Sequence, residues 1–135
     1  MKCGKILVID DDSEDMVIIR EAMEMINADN IMLFAENGET ALQLLDTRFS
    51  AEHIVPCLIV LDLNMPKMNG TQTLENLKAD DRFRNIPVII YSTSINPFEK
   101  AKCVSLGAHA YITKPVSLKE SLETAKVFLD FCTAD

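Results

Sequence analysis

Positive charge is what this sequence has least of. Lys and Arg number 13 against 21 Asp and Glu, for a net charge of −8. A face that grips phosphate backbones needs clustered Lys and Arg, so nucleic-acid binding is disfavoured. The acidic balance fits protein partners or simply a solvated surface. No apolar segment precedes the first strand-like run, and Asp62 closes the strongest apolar stretch, which disfavours both secretion and membrane insertion. The four cysteines, Cys3, Cys57, Cys103 and Cys132, lie far apart, with no C-x-x-C and no His at ligand spacing, which argues against zinc. Cys57 lies within Cys57-Leu58-Ile59-Val60-Leu61 and reads as a buried thiol. The expected compartment is the cytoplasm, where thiols stay reduced. Linkers, repeats and low-complexity stretches are also missing, and 135 residues suit one domain, read as 1–135 without a separate output module.

What is present is a strict alternation of strand and helix patterns. Lys5 to Ile9 is a short apolar run ending in acids, as expected of a strand buried on both faces. Ser13 is the expected cap of a helix with Glu14 and Asp15 in its first turn and Met16, Ile19, Met23 and Ile26 as its apolar stripe. Asn30 to Ala35 reads as a second strand near an edge, and Asn37-Gly38 turns into a helix with Ala41, Leu44 and Leu45 inward. Cys57 to Leu61 is the expected central strand, followed by a helix with Leu74 and Leu77 inward. Pro87 opens a fourth strand, Val88 to Tyr91. Pro97 and Gly107 bracket a fourth helix. His109 to Thr113 is a fifth strand, and Ser117 caps a last helix with Leu118, Leu122, Ala125 and Leu129 on one face. Five strands and five helices in alternation imply an α/β fold with a parallel sheet covered on both sides. Right-handed crossovers leave a doubly wound sheet or a barrel, and a barrel needs more units.

In such sheets ligands bind beyond the carboxyl ends of the strands. Those ends carry Asp10, Asp11 and Asp12, then Asp62, then Ser92 and Thr93, then Lys114-Pro115. Singly, each has an ordinary explanation: a capped turn for the acids, a local backbone bond for Ser92, a surface position for Lys114. Together they are harder to dismiss. Adjacent strands bring Asp10, Asp11 and Asp62 close, and like charges at short range must be compensated. A hard divalent cation with oxygen ligands does this, and Mg²⁺ takes one or two carboxylates plus carbonyls and water. With Lys114 opposite and Ser92 donating, the set suits transfer of a phosphoryl group to Asp62.

Asp10-Asp11, the stretch Leu61 to Gly70 (Leu-Asp-Leu-Asn-Met-Pro-Lys-Met-Asn-Gly), Ser92, and Gly107 to Pro115 resemble the signature of two-component response-regulator receiver domains, from Ile6 to about Phe131. The resemblance implies a flavodoxin-like receiver fold, a doubly wound five-stranded sheet of order 2-1-3-4-5 with five helices. It implies Asp62 as phosphoacceptor, with Ser92 and Lys114 as its catalytic partners. Asp11 is then the direct Mg²⁺ ligand, Asp10 acts largely through water, and Asp62 and the Asn64 backbone carbonyl complete the protein's share of the shell. Tyr111 matches the aromatic switch residue coupled to Ser92, and Pro115 resembles the family's cis-proline site. Thr93 departs from the commoner Ala or Gly and would limit access to the acyl phosphate. Tyr91 stands where an aliphatic residue is usual and is expected only to pack.

The resemblance also implies function. A sensor histidine kinase or phosphotransfer protein would dock near the first helix and the loop after the fifth strand. The signal would leave through the face of the fourth helix, fifth strand and fifth helix, to a protein target, to a relay partner or to a second copy in a homodimer. The ending Ile90 to Ser94 and the stretch Leu61 to Gly70 resemble small stand-alone regulators, including those paired with phytochrome-type kinases. Other readings fit less well. An aspartate-nucleophile phosphohydrolase would want an acid where Asn64 stands, a receiver-like scaffold would not need the full set of acids, hydroxyl and lysine, and a flavin module lacks its phosphate loop.

Overall fold

The computed structural model describes residues 2–52, 54–63, 68–94 and 96–133. Five parallel strands form one sheet in the order β2-β1-β3-β4-β5, as expected. The strands are β1 (Lys2–Ile9), β2 (Met32–Ala35), β3 (Ile54–Leu61), β4 (Val88–Ser92) and β5 (Ala110–Thr113). Between and after them lie α1 (Ser13–Met25), α2 (Gly38–Leu44), α3 (Gly70–Ala79), α4 (Pro97–Ser105) and α5 (Leu118–Thr133). Helix α2 runs on through a π-turn at Leu45–Phe49 and a last turn at Ser50–Glu52.

Successive side chains of a strand point to opposite faces, so each buried strand feeds two cores. Leu7, Ile9, Ile59, Leu61, Val88 and Ile90 pack with Leu45, Phe49, Leu74 and Leu77 on one side. Ile6, Val8, Leu58, Val60, Ile89 and Tyr91 pack with Ile19, Met23, Ala125 and Phe128 on the other. The apolar runs of β1, β3 and β4 are thus continuous because both faces are covered.

Several local expectations shift. The cap of α1 is Asp12, not Ser13: the amide of Asp12 donates to the Asp10 carboxylate, and the Asp12 side chain then accepts from the amides of Glu14 and Asp15. Strand β2 begins at Met32 instead of Asn30, because Asp29–Ile31 closes a 3₁₀ turn. Leu118 is 60 % exposed, and the inward face of α5 is set by Ser121, Ala125 and Phe128. No cis peptide bond occurs among the described residues, so the Lys114–Pro115 bond is trans. Trans is the isomer that an X–Pro bond prefers by about 0.5–1 kcal/mol unless packing opposes it.

Cys57 is not a free thiol. It is joined to Cys132 in a disulfide, with Cα atoms 5.2 Å apart across 75 residues of sequence. Helix α5 runs back against the sheet, so its C-terminal end returns beside the first half of β3. Only the fold brings the two cysteines within bridging distance. Cys103 is free and buried. No helix among the described residues is long and apolar enough to cross a membrane.

Candidate phosphoacceptor and metal site

Register builds the site. Ile9 pairs with Leu61, so Asp10 and Asp62 leave the sheet side by side, fixed by amide bonds from Asp10 to Ala35 and from Asp62 to Ile9. Leu61 pairs with Ile90, which puts Ser92 at the same edge, and Ser92 pairs with Thr113, which brings Lys114 beside it. The Lys114 amide donates to the Ser92 carbonyl at 2.9 Å. Four strand ends therefore deliver the expected residues to one place.

Carboxylate oxygens of Asp10, Asp11 and Asp62 lie within 4.8 Å of one another. Asp10 and Asp62 are buried, at 2 % and 6 % exposure, while Asp11 is open to solvent. Lys114 Nζ is 2.9 Å from Asp10 and 3.5 Å from Asp62. Burial by itself would lower the Lys114 pKa, but hydrogen bonds to Asp15 and Asp10 and the charges of Asp10 and Asp62 outweigh it and raise the value. The ammonium thus stays charged. It does not neutralise three acids, and a cluster of hard oxygens with residual negative charge is the donor set that Mg²⁺ or Mn²⁺ takes. Asn64, whose carbonyl was expected in the shell, lies outside the described residues, as do Met65, Pro66 and Lys67.

Gly70 shows how tightly the surroundings are drawn. A Cβ there would strike the Asp62 carbonyl oxygen and stand 2.6 Å from the Leu63 Cα, so only glycine lets α3 start this close to the acceptor strand. The helix is then held by a capping box between Asn69 and Gln72.

Ser92 is fully buried, and its Oγ accepts from the Ser94 amide at 3.2 Å. The Tyr111 hydroxyl donates to the Ser94 carbonyl at 2.9 Å. The Ser94 peptide therefore connects the two residues expected to act as a switch. Thr93 is exposed beside them. Tyr91, expected only to pack, is 3 % exposed, meets Phe128 edge-to-face at 5.6 Å, and lies 5.8 Å below Lys114 Nζ. Burial pushes its hydroxyl pKa up, with the Lys114 charge opposing.

One close neighbour was not anticipated as a site residue. Asp15 accepts from Lys114 Nζ at 2.6 Å, the shortest of that ammonium's ionic contacts. In sequence it reads as a helix-start acid, and nothing but the helix phase set by Asp12 turns it toward Lys114.

Comparison with known proteins agrees with this geometry. The chain is 34 % identical over 122 residues to the chemotaxis protein CheY1 of Helicobacter pylori strain J99, covering 88 % of this chain and 94 % of that one. Its fold matches the phosphorylated cyanobacterial phytochrome response regulator RcpA with a TM-score of 0.83 and 30 % identity, over 98 % of this chain and 95 % of that chain. It matches the Mn²⁺-bound form of the response regulator Rcp1 with a TM-score of 0.79 and 27 % identity, over 95 % of this chain and 93 % of that chain. The sequence profile of the response regulator receiver domain matches residues 6–126. With a fold, a strand-end acid cluster and a sequence profile in agreement, the chain belongs to the response-regulator receiver-domain family.

Proposed function

We propose that this receiver domain accepts a phosphoryl group on Asp62 from a phosphohistidine of a sensor kinase or phosphotransfer protein. The observation that carries this reading is the placement of a buried Asp62 carboxylate within 4.8 Å of the acids Asp10 and Asp11 and 3.5 Å from Lys114. In the reaction an Asp62 oxygen forms a bond to phosphorus as the phosphorus–nitrogen bond breaks. The electron pair leaves with the imidazole nitrogen, which takes up a proton from solvent and so departs as neutral histidine. Asp10, Asp11, Asp62 and the Asn64 carbonyl would hold Mg²⁺, which supplies charge neutralisation to the phosphoryl oxygens. Lys114 offers its ammonium to the same oxygens from the other side, and Ser92 offers a hydroxyl hydrogen bond.

Once Asp62 carries a dianion, Ser92 is drawn toward it and gives up its bond with the Ser94 amide. The Ser94 carbonyl is the anchor of Tyr111, so a shift in that peptide releases the ring. The result is a population shift in the face formed by α4, β5 and α5, which reads out to a protein target, a relay partner or a second copy in a homodimer. Phe98 and Val104 stand 83 % and 54 % exposed on α4 and give that face apolar contact area. The phosphodonor docks instead along a groove of 520 Å³ between α1 and the loop after β5, lined by Ile18, Met25, Val116 and Leu118. Such a domain is a switch in a two-component pathway. It has no role at nucleic acid or membrane, and its only chemistry is on itself.

The test is intact mass spectrometry after incubation with acetyl phosphate and Mg²⁺. One phosphoryl adduct is expected, absent without Mg²⁺ and absent in Asp62→Asn. An adduct of equal yield in Asp62→Asn removes Asp62 as acceptor.

A further inference from the structure

We propose that Asp15 is a positioning residue that retains Lys114 on the α1 side of the site and thereby weakens phosphoryl binding at Asp62; this deepens the phosphoacceptor reading and rests on it. Lys114 Nζ contacts Asp15 at 2.6 Å, Asp10 at 2.9 Å and Asp62 at 3.5 Å. The ammonium is thus displaced toward α1 and away from the oxygen that would carry phosphorus. Side-chain exposure separates the partners: Lys114 and Asp62 are 8 % and 7 % exposed, Asp15 27 %. Asp15 lies outside the Asp10, Asp11 and Asp62 cluster, and its carboxylate is committed to Lys114 instead.

Helix α1 does not need Asp15 for its own start. Asp12 already caps it, accepting from the amides of Glu14 and Asp15, and exposed Glu14 supplies acidic charge in the first turn. The side chain of Asp15 is spent on Lys114 instead. A phosphoryl group raises the negative charge on Asp62 by about one unit. That anion must then win Lys114 from Asp15, against the repulsion of a fourth carboxylate. Asp15 acts as a restraint whose release accompanies phosphorylation.

Loss of the Asp15 charge should act with opposite sign on two ligands. Removing one negative charge helps an anion to bind and hinders a cation. In Asp15→Asn, beryllofluoride at saturating Mg²⁺ binds roughly tenfold more tightly by isothermal titration calorimetry, a partly screened charge effect over a few ångströms. Mg²⁺ alone binds the same variant more weakly, by up to roughly threefold. Asp15→Glu, which keeps the charge and reaches Lys114, stays within about twofold of the parent for both ligands. In apo protein, ¹⁵N spectra should reveal a protected Lys114 ammonium that exchanges faster with water in Asp15→Asn. Weaker or unchanged beryllofluoride binding in Asp15→Asn overturns the proposal, because an anchor or a purely structural residue gives that result. If the parent protein binds no beryllofluoride, the phosphoacceptor reading falls and takes this one with it; if the parent binds and only the Asp15→Asn increase is missing, only the restraint falls.

Discussion

At the carboxyl end of the sheet Lys114 is held by three carboxylates at 2.6, 2.9 and 3.5 Å, whereas beside the first half of β3 Cys57 is joined covalently to Cys132. Both arrangements tie a helix to the sheet: Asp15 of α1 to Lys114, just past the edge strand β5, at one end, and Cys132 of α5 to the central strand β3 at the other. Ionic contacts rearrange when a charge arrives, and a covalent bond does not. The same sheet therefore has one end suited to changing state and one end suited to holding α5 while that happens. The disulfide also requires an oxidant to form, so its loss under reductant is a direct handle on that end.

The comparison is broken most severely at its covalent end. Cys57→Ser, or reduction of the disulfide, frees a loop of 75 residues and should lower unfolding free energy by about 4 kcal/mol in urea titrations. Phosphoryl-mimic binding should survive the loss. A parent protein whose stability ignores reductant would show that the bond contributes nothing.

At the charged end, Lys114→Met leaves buried Asp10 and Asp62 facing one another without an ammonium and should cost about 3 kcal/mol. Mg²⁺ should restore part of that loss, which is the sharper reading, since an ordinary packing defect gains nothing from a cation. Gly70→Ala should cost about 2 kcal/mol by pressing a methyl group onto the Asp62 backbone. It should also weaken beryllofluoride binding, which Cys57→Ser should not.

The smallest effect is a slope. Lys114 and Tyr91 both have folded pKa values raised above their ordinary 10.5 and 10.0, so the folded state holds these protons more tightly than the unfolded chain. Their contribution is whole below pH 10 and declines as pH rises above it. Stability measured from pH 9 to 12 should fall, and Tyr91→Phe should flatten the fall. An unchanged slope in that variant would assign the alkaline loss elsewhere.

Much of this was readable from residue order. The apolar runs at Ile6 to Ile9, Leu58 to Leu61 and Val88 to Tyr91 announce strands buried on both faces, because such strands need no polar alternation. The residues that end them could be aligned once a parallel sheet was accepted, and Asp10, Asp62, Ser92 and Lys114 do share one edge. The failures have a common cause. Asp12 displaced Ser13 as the cap because Asp10 bonds back to its amide, an interaction between neighbours with no compositional sign. Leu118 turned outward because the α5 stripe passes through Ser121, Ala125 and Phe128 instead. The Cys57–Cys132 pair and the Asp15–Lys114 pair join residues 75 and 99 positions apart, where spacing carries no information.

By itself, then, the chain's order of residues determined the alternation of strand and helix, which strands are central, and which chemical groups stand at the strand ends, since these follow from short-range periodicity and turn chemistry. Only the tertiary structure decided which of several acids Lys114 meets first, that Ser94 links Ser92 to Tyr111, and that α5 ends against β3. Those outcomes depend on strand register and on the rotational phase of helices, quantities that arise when elements pack and that no local stretch of sequence contains.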